Sequence, residues 1–348
     1  MKFKAITYIL AASLLIAGCS GKEETKPKPK SGEPAETAKK EKTEAEKEFS
    51  DTYPLTGIGT NETKGRSVAV MVNNHPNARP QSGLSKADVV YEMLTESEVT
   101  RFLAVFQSEK PEKVGPVRSA RDYYIELAKG LGALYIAHGY SPEAKTLLSQ
   151  GYVDNLNGIA YDGTLFKRET FRRAPHNSYI SFENIEKGAA QKSYDLDSPP
   201  EPMMFLTKDG IEGLQGNPAS TARIKYGSEM FNVQYEYDEA LGKYKRFSNG
   251  EQTVEYGGET PILLDNLFII EAPHHMIDNG RRDIDITTGG IGYLLQKGKI
   301  NEVEWQNKNG RIIPMKSGVE IGLVPGKTWV NIVPGQPGIS QSVTIESK

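Results

Sequence analysis

The residues best placed to do chemistry in this 348-residue chain are three histidines and seven arginines within one stretch, from His75 to His176. Arg118-Ser119-Ala120-Arg121 precedes a run with helical apolar spacing, so Ser119 is expected to cap a helix, with Asp122 three residues on. Arg121 and the free backbone N–H groups of the first turn would then face one anion, because helix N-termini carry partial positive charge and unpaired donors. Arginine adds a two-pronged donor for carboxylate or phosphate. Arg79, Arg101, Arg168, Arg172 and Arg173 enlarge the supply of cations. The competing expectation is that these arginines form ordinary ion pairs with Asp122, Glu126, Glu92, Glu96 and Glu169. His75, His138 and His176 stand beside Gly, Pro or Asn, as loop residues do. One of them could serve as a general base near Ser119, Ser141 or Ser178, oriented by Asp122 or Asp88. No Gly-x-Ser-x-Gly elbow supports that chemistry. Nor is there an H-x-H or H-E-x-x-H spacing, so neither a metal nor a cofactor is expected. The candidate ligand-binding set is Asn73, Asn74, His75, Arg79, Arg101, Arg118, Ser119, Arg121, Asp122, His138, Arg173, His176 and Asn177.

The elements that must position these side chains alternate. Val68-Ala-Val-Met-Val72 is a short continuous apolar run followed by Asn-Asn-His-Pro, which reads as a buried strand and a turn. Asp88–Leu94, Arg101–Phe106 and Ala133–Ala137 are further strands. A helix is expected after Ser119, with Tyr124, Leu127, Ala128 and Leu131 on one face. A second opens at Ser141-Pro142-Glu143, with Pro at its first position, and closes at Gly151. Strand and helix in alternation imply an α/β layer, whose ligands sit beyond the carboxyl ends of the strands. His75 and His138 fall at two such ends.

Composition sets the address. Lys2 and Lys4 precede an apolar run from Ala5 to Ala17, and Leu-Ile-Ala-Gly-Cys closes it at the only cysteine of the chain. That is a secretory signal too short to span a membrane, and its close resembles a bacterial lipobox. Residues 1–18 are therefore expected to be removed and Cys19 to carry lipid (palmitate), anchoring the protein to the outer, extracytoplasmic face of the cell membrane. Removing two lysines takes the formal net charge from −3 to −5, which argues against a nucleic-acid partner. With Cys19 lipidated no thiol remains for a disulfide, a nucleophile or zinc. Residues 19–52 hold dense mixed charge with a single aromatic, Phe49, and are expected to form a disordered tether.

Residues 53–195 make the expected N-terminal α/β domain. After Ser-Pro-Pro-Glu-Pro, residues 199–348 change character. Ala222–Tyr226, Phe231–Tyr237 and Lys243–Phe247 alternate with period two, and Asn249-Gly250, Lys297-Gly298, Asn309-Gly310 and Pro325-Gly326 punctuate the half as turns. The expectation is a mainly antiparallel β-sandwich or partly open barrel, giving an α/β (α+β overall) chain. His274-His275 with Asp278, Asp283 and the neighbouring arginines reads as a solvated loop.

Four segments carry a family resemblance: Val-Met-Val-Asn-Asn-His-Pro-Asn-Ala-Arg-Pro-Gln-Ser-Gly (70–83), Arg-Phe-Leu-Ala-Val-Phe (101–106), Gly-Pro-Val-Arg-Ser-Ala-Arg-Asp-Tyr (115–123) and Ala-Pro-His-Asn-Ser (174–178). With Pro-Gly-Lys-Thr-Trp-Val (325–330), they resemble the YerB-type lipoproteins of Gram-positive bacteria. The resemblance implies an envelope lipoprotein of two domains and carries over no catalytic role to any residue. The expected function is binding of an anionic envelope ligand or partner, a wall polymer phosphate, a peptidoglycan carboxylate or an acidic protein patch, through the Arg/His cleft. Two alternatives are an envelope hydrolase or transferase using histidine as acid and base, and an adaptor binding another surface protein through an apolar patch near Tyr235, Tyr237 or Trp329.

Overall fold

The computed structural model describes residues 49–347 except 63 and 279. Cys19, the signal segment and most of the tether lie outside the described residues. The described residues form one compact unit, and Asp51–Thr52 pairs with Gly59–Thr60. Among the described residues no helix is long and apolar enough to cross a membrane.

Val68–Asn73 is a strand buried along its whole length. Val68, Val70 and Val72 enter one core while Ala69 and Met71 enter another. Alternate side chains of a strand point to opposite faces, so a strand covered on both sides shows an unbroken apolar run. The strand belongs to a twelve-stranded sheet. From one edge its order is Val319–Glu320, Arg311–Lys316, Lys299–Lys308, Gly290–Gln296, Asn266–Ala272, Thr328–Pro334, Val89–Leu94, Thr100–Phe106, Val68–Asn73, Leu134–Ala137 and Asn155–Asn157, with Asn217–Pro218 added beside Lys299–Lys308. Thr328–Pro334 runs parallel to both Asn266–Ala272 and Val89–Leu94, so strands from both halves of the sequence share one sheet.

One face of this sheet is covered by the helix Asp122–Gly130, which inserts Tyr123, Tyr124, Leu127 and Ala128 beside Ala144 of the helix Pro142–Ser149. The other face packs against the helix Phe182–Lys192 and a second, antiparallel sheet that includes Thr221–Ile224, Val233–Asp238, Lys243–Ser248 and Val343–Glu346. The protein is thus mixed α/β and rich in strand. Asn249-Gly250, Lys297-Gly298 and Asn309-Gly310 all have positive φ at both residues, the backbone of a tight hairpin turn that asparagine and glycine accept most readily.

Two sequence expectations meet different outcomes at the helix starts. Ser141 does cap its helix, accepting the Ala144 N–H at 3.2 Å, with Pro142 at the first position. Ser119 does not: the cap residue is Arg121 and the helix begins at Asp122. The reason lies in the preceding backbone, which is held extended. Arg118 N–H donates to Met71 O, Ala120 N–H to Gly139 O, and His138 N–H to Arg118 O. Residues 118–120 extend the sheet's hydrogen bonding, so the helix starts only after that pairing ends.

Candidate functional site

Val68–Asn73, Leu134–Ala137 and Asn155–Asn157 run parallel, and their carboxyl ends form one edge. His75 follows the first strand, His138 the second and Gly158 the third. Arg101, second in the antiparallel neighbour Thr100–Phe106, sits opposite Asn73. Arg118 is pinned between the first two strands by its backbone bonds to Met71 and His138. The hairpin from Phe166–Arg168 to Ser178–Ser181 brings His176 and Ser178 to the same edge.

The three imidazoles are fixed as neutral groups with assigned protons. Asn73 Oδ1 accepts the His75 N–H at 2.9 Å, which turns Asn73 Nδ2 toward His176 Nδ1 at 2.8 Å. An amide nitrogen only donates, so His176 Nδ1 accepts and its proton sits on Nε2. Asn77 N–H donates to His75 Nδ1 at 3.1 Å, leaving that proton on Nε2 as well. The two rings stack with centroids 4.5 Å apart. His138 has the opposite tautomer: Arg168 donates to its Nε2 at 3.0 Å, so Nδ1–H donates to Ser178 Oγ at 2.7 Å. Burial is the first cause lowering the pKa of each ring, and the Arg118 charge lowers all three. Every lone-pair nitrogen in the cluster is already taken by a donor. What His75 and His176 have left to offer is N–H.

Arg118 is the one charge that acts on all three rings. Its guanidinium has no acceptor among the described residues, and its Nε is buried without a partner. Burial, then the charges of Arg101 and Arg168, lowers its pKa to about 10. It nevertheless stays protonated at neutral pH. The other two arginines of the expected anion site behave differently. Arg121 forms an ion pair with Glu96, and Arg101 bonds the same carboxylate at 3.0 Å while donating to Ser119 O at 2.7 Å. Arg121 is therefore an ion-pair residue and not the fork that the sequence suggested, since the extended backbone at 118–120 turns it toward Glu96.

The remaining candidates separate by place. Ser119 Oγ donates to His138 O at 3.2 Å. Asp122 faces a groove it shares with Glu126, Glu143 and Asp283, where burial, then Asp283 and Glu143, raises its pKa. It lies outside the histidine cluster's bonding. Asn177 accepts from Arg168 at 3.2 Å, Arg168 also clasps Asp162, and Arg173 is exposed. Asn74 is buried beneath the loop, donating to Thr100 at 2.7 Å and accepting from Arg79 at 3.1 Å.

Residues 55–195 match the family described as protein of unknown function (DUF3048), N-terminal domain, and residues 222–330 match its C-terminal domain. "Putative lipoprotein YerB" of Bacillus subtilis (strain 168) is 49% identical over 286 residues, covering 81% of this chain and 86% of the relative. The chain belongs to the YerB family. The crystal structure of YerB from Bacillus subtilis superposes with a TM-score of 0.79 at 46% identity, over 85% of this chain and 99% of that one.

In this YerB-family chain the segments 70–83, 101–106, 115–123 and 174–178, far apart in sequence, converge on the one edge that holds Asn73, Arg101, Arg118 and His176. Two features there had no local sequence signal. Gly158 is required by His138, because a Cβ at that position would lie 2.2 Å from the ring's Nδ1. Glu92, fully buried, accepts two bonds from Arg246, 154 residues away, and one from Trp329.

Proposed function

We propose that this protein is a lipid-anchored binding protein of the outer membrane face, with Cys19 carrying the lipid, and that it receives an oxyanion of the cell envelope at Arg118, His75 and His176. One observation carries the reading: Arg118 lacks any acceptor among the described residues, and the two imidazoles its charge acts on have spent their lone pairs and keep only N–H donors. A cluster that offers donors alone suits a ligand that supplies acceptors and negative charge. The same tautomers weigh against acid–base catalysis by these histidines, since a general base needs a free lone pair and His138 donates to Ser178 where a hydrolase base would accept. The adaptor reading is not favoured, because Tyr235 and Trp329 are buried and Tyr237 is half-buried.

The test is co-sedimentation of the full chain with cell-wall sacculi, with and without their anionic polymers, at low and moderate salt. Arg118→Gln is expected to abolish salt-sensitive binding without lowering the melting temperature. Binding that survives the substitution rejects Arg118 as the anion's partner.

A further inference from the structure

We infer that the ligand is an extended chain of recurring oxyanions and not a single small anion; the inference rests on the oxyanion reading of Arg118. Sorting the seven arginines by partner leaves a pattern. Arg101 and Arg121 share Glu96, and Arg168 holds Asp162. Arg79, Arg118, Arg172 and Arg173 form no ion pair with a carboxylate among the described residues. Arg79 donates to neutral oxygens of Asn74 and Met230. Arg172 donates to the carbonyls of Ala78 and Pro80 and rests its guanidinium against Phe171 and Tyr256, 5.6 and 5.1 Å from the ring centroids. Arg173 is exposed and makes no side-chain bond among the described residues.

Arg79, Arg172 and Arg173 stand on two loops, and Arg118 on the extended segment 118–120. Arg172 joins the 171–178 loop directly to the 78–80 carbonyls, and between the loops lies the stacked pair of His75 and His176. Arg79 and Arg118 both act on His75, and Arg118 and Arg172 both act on His176. Four cations without a bonded carboxylate repel one another, Arg79 alone being eased by the charges of Glu92 and Glu251, in a chain whose formal net charge is −3. One small oxyanion at Arg118 would neutralise one of them. Arg79 and Arg172 have their forks engaged by carbonyls, so they present charge more than free donors. Charge presented along a surface without a dedicated pocket attracts a polymer carrying an oxyanion at each repeat, and each contact releases a counterion from it.

The experiment titrates the full chain with inorganic polyphosphate, polyglutamate, inorganic phosphate and acetate at several salt concentrations, following affinity and the His176 ring resonances. Polyphosphate or polyglutamate is expected to bind at least 100-fold tighter per chain than the corresponding monomeric ion. With four contacts at about 0.7 each, log K should fall against log salt with a slope of about −2.8. Arg79→Gln, Arg172→Gln and Arg173→Gln should each reduce that slope by about 0.7. Preference for polyphosphate assigns a phosphodiester polymer, and preference for polyglutamate a polycarboxylate. If inorganic phosphate or acetate shifts the His176 resonances but the polymers bind no tighter, the polymer inference falls and the oxyanion reading stands. If no probe shifts them, both fall.

Discussion

Asn73 makes His176 a donor. The amide spends its oxygen on the His75 N–H and its nitrogen on His176 Nδ1, so neither end can turn round. Asn73→Asp reverses the polarity: a carboxylate asks for a proton on Nδ1, which raises the His176 pKa above the ordinary 6.5. It also adds a negative charge beside Arg118. The expected outcome is an upward shift of the His176 titration in NMR and at least a tenfold loss of oxyanion affinity at pH 7.5. A His176 that still titrates below 6.5 would show that Asn73 does not set its tautomer.

The buried pair of Glu92 and Arg246 ties the large sheet to the second one. Arg246 bonds Glu92 at 2.9 and 3.1 Å, lies 4.7 Å from the centre of the Trp329 ring, and gives Thr253 a further bond at 2.8 Å. Removing one partner strands a charge in a dry interior. Arg246→Met is expected to cost about 3–5 kcal/mol in urea unfolding, and the double variant with Glu92→Gln to recover part of that loss. A double variant no more stable than Arg246→Met would assign the cost to lost packing.

Local pattern made much of this legible. The apolar run at 68–72, the Ser141-Pro142 cap and the Asn-Gly turns each state their structure within a few residues, and each appears where the sequence put it. The placement of His75 and His138 at strand ends followed from the same patterns. What local pattern could not reveal was pairing across the chain. Ser119 looks like a cap by its neighbours, but a bond between Ala120 N–H and Gly139 O forces the backbone straight. Arg121 looks like an anion fork until Glu96 folds against it. Glu92 and Arg246 meet only because Lys243–Ser248 packs over Val89–Leu94, a contact between sheets that leaves no mark in either strand's alternation.

Gly158 tests whether the edge works as one arrangement. It begins a short helix next to Leu156 and leaves room for the His138 ring, which a Cβ would meet at 2.2 Å. Gly158→Ala must displace the ring or the backbone, at a cost of about 1–3 kcal/mol. The ring would then lose Ser178 and Arg168 together. Melting temperature should fall, and the long-range nitrogen–proton NMR pattern of His138 should lose its Nδ1–H signature. An unchanged pattern would mean that the ring is held by Phe166, 5.5 Å away edge-on, and not by its hydrogen bonds.

His274 gives the protein a calculable sensitivity to acid. Its Nδ1–H bonds Ala272 O at 2.8 Å while Nε2 is buried with no partner among the described residues, and burial lowers its pKa to about 4. The native state thus refuses a proton that the unfolded chain takes up below about 6.5. Below that pH the unfolded state binds more protons, so stability is full above 6.5 and is lost as pH falls toward 4. At pH 5 the gap of about 1.5 units corresponds to a loss on the order of 2 kcal/mol relative to pH 7.5. Urea unfolding at the two pH values measures it, and His274→Gln isolates it, since the difference between wild type and variant removes what the other histidines contribute. A variant that loses as much stability on acidification as the wild type would show that His274 takes up its proton inside the fold.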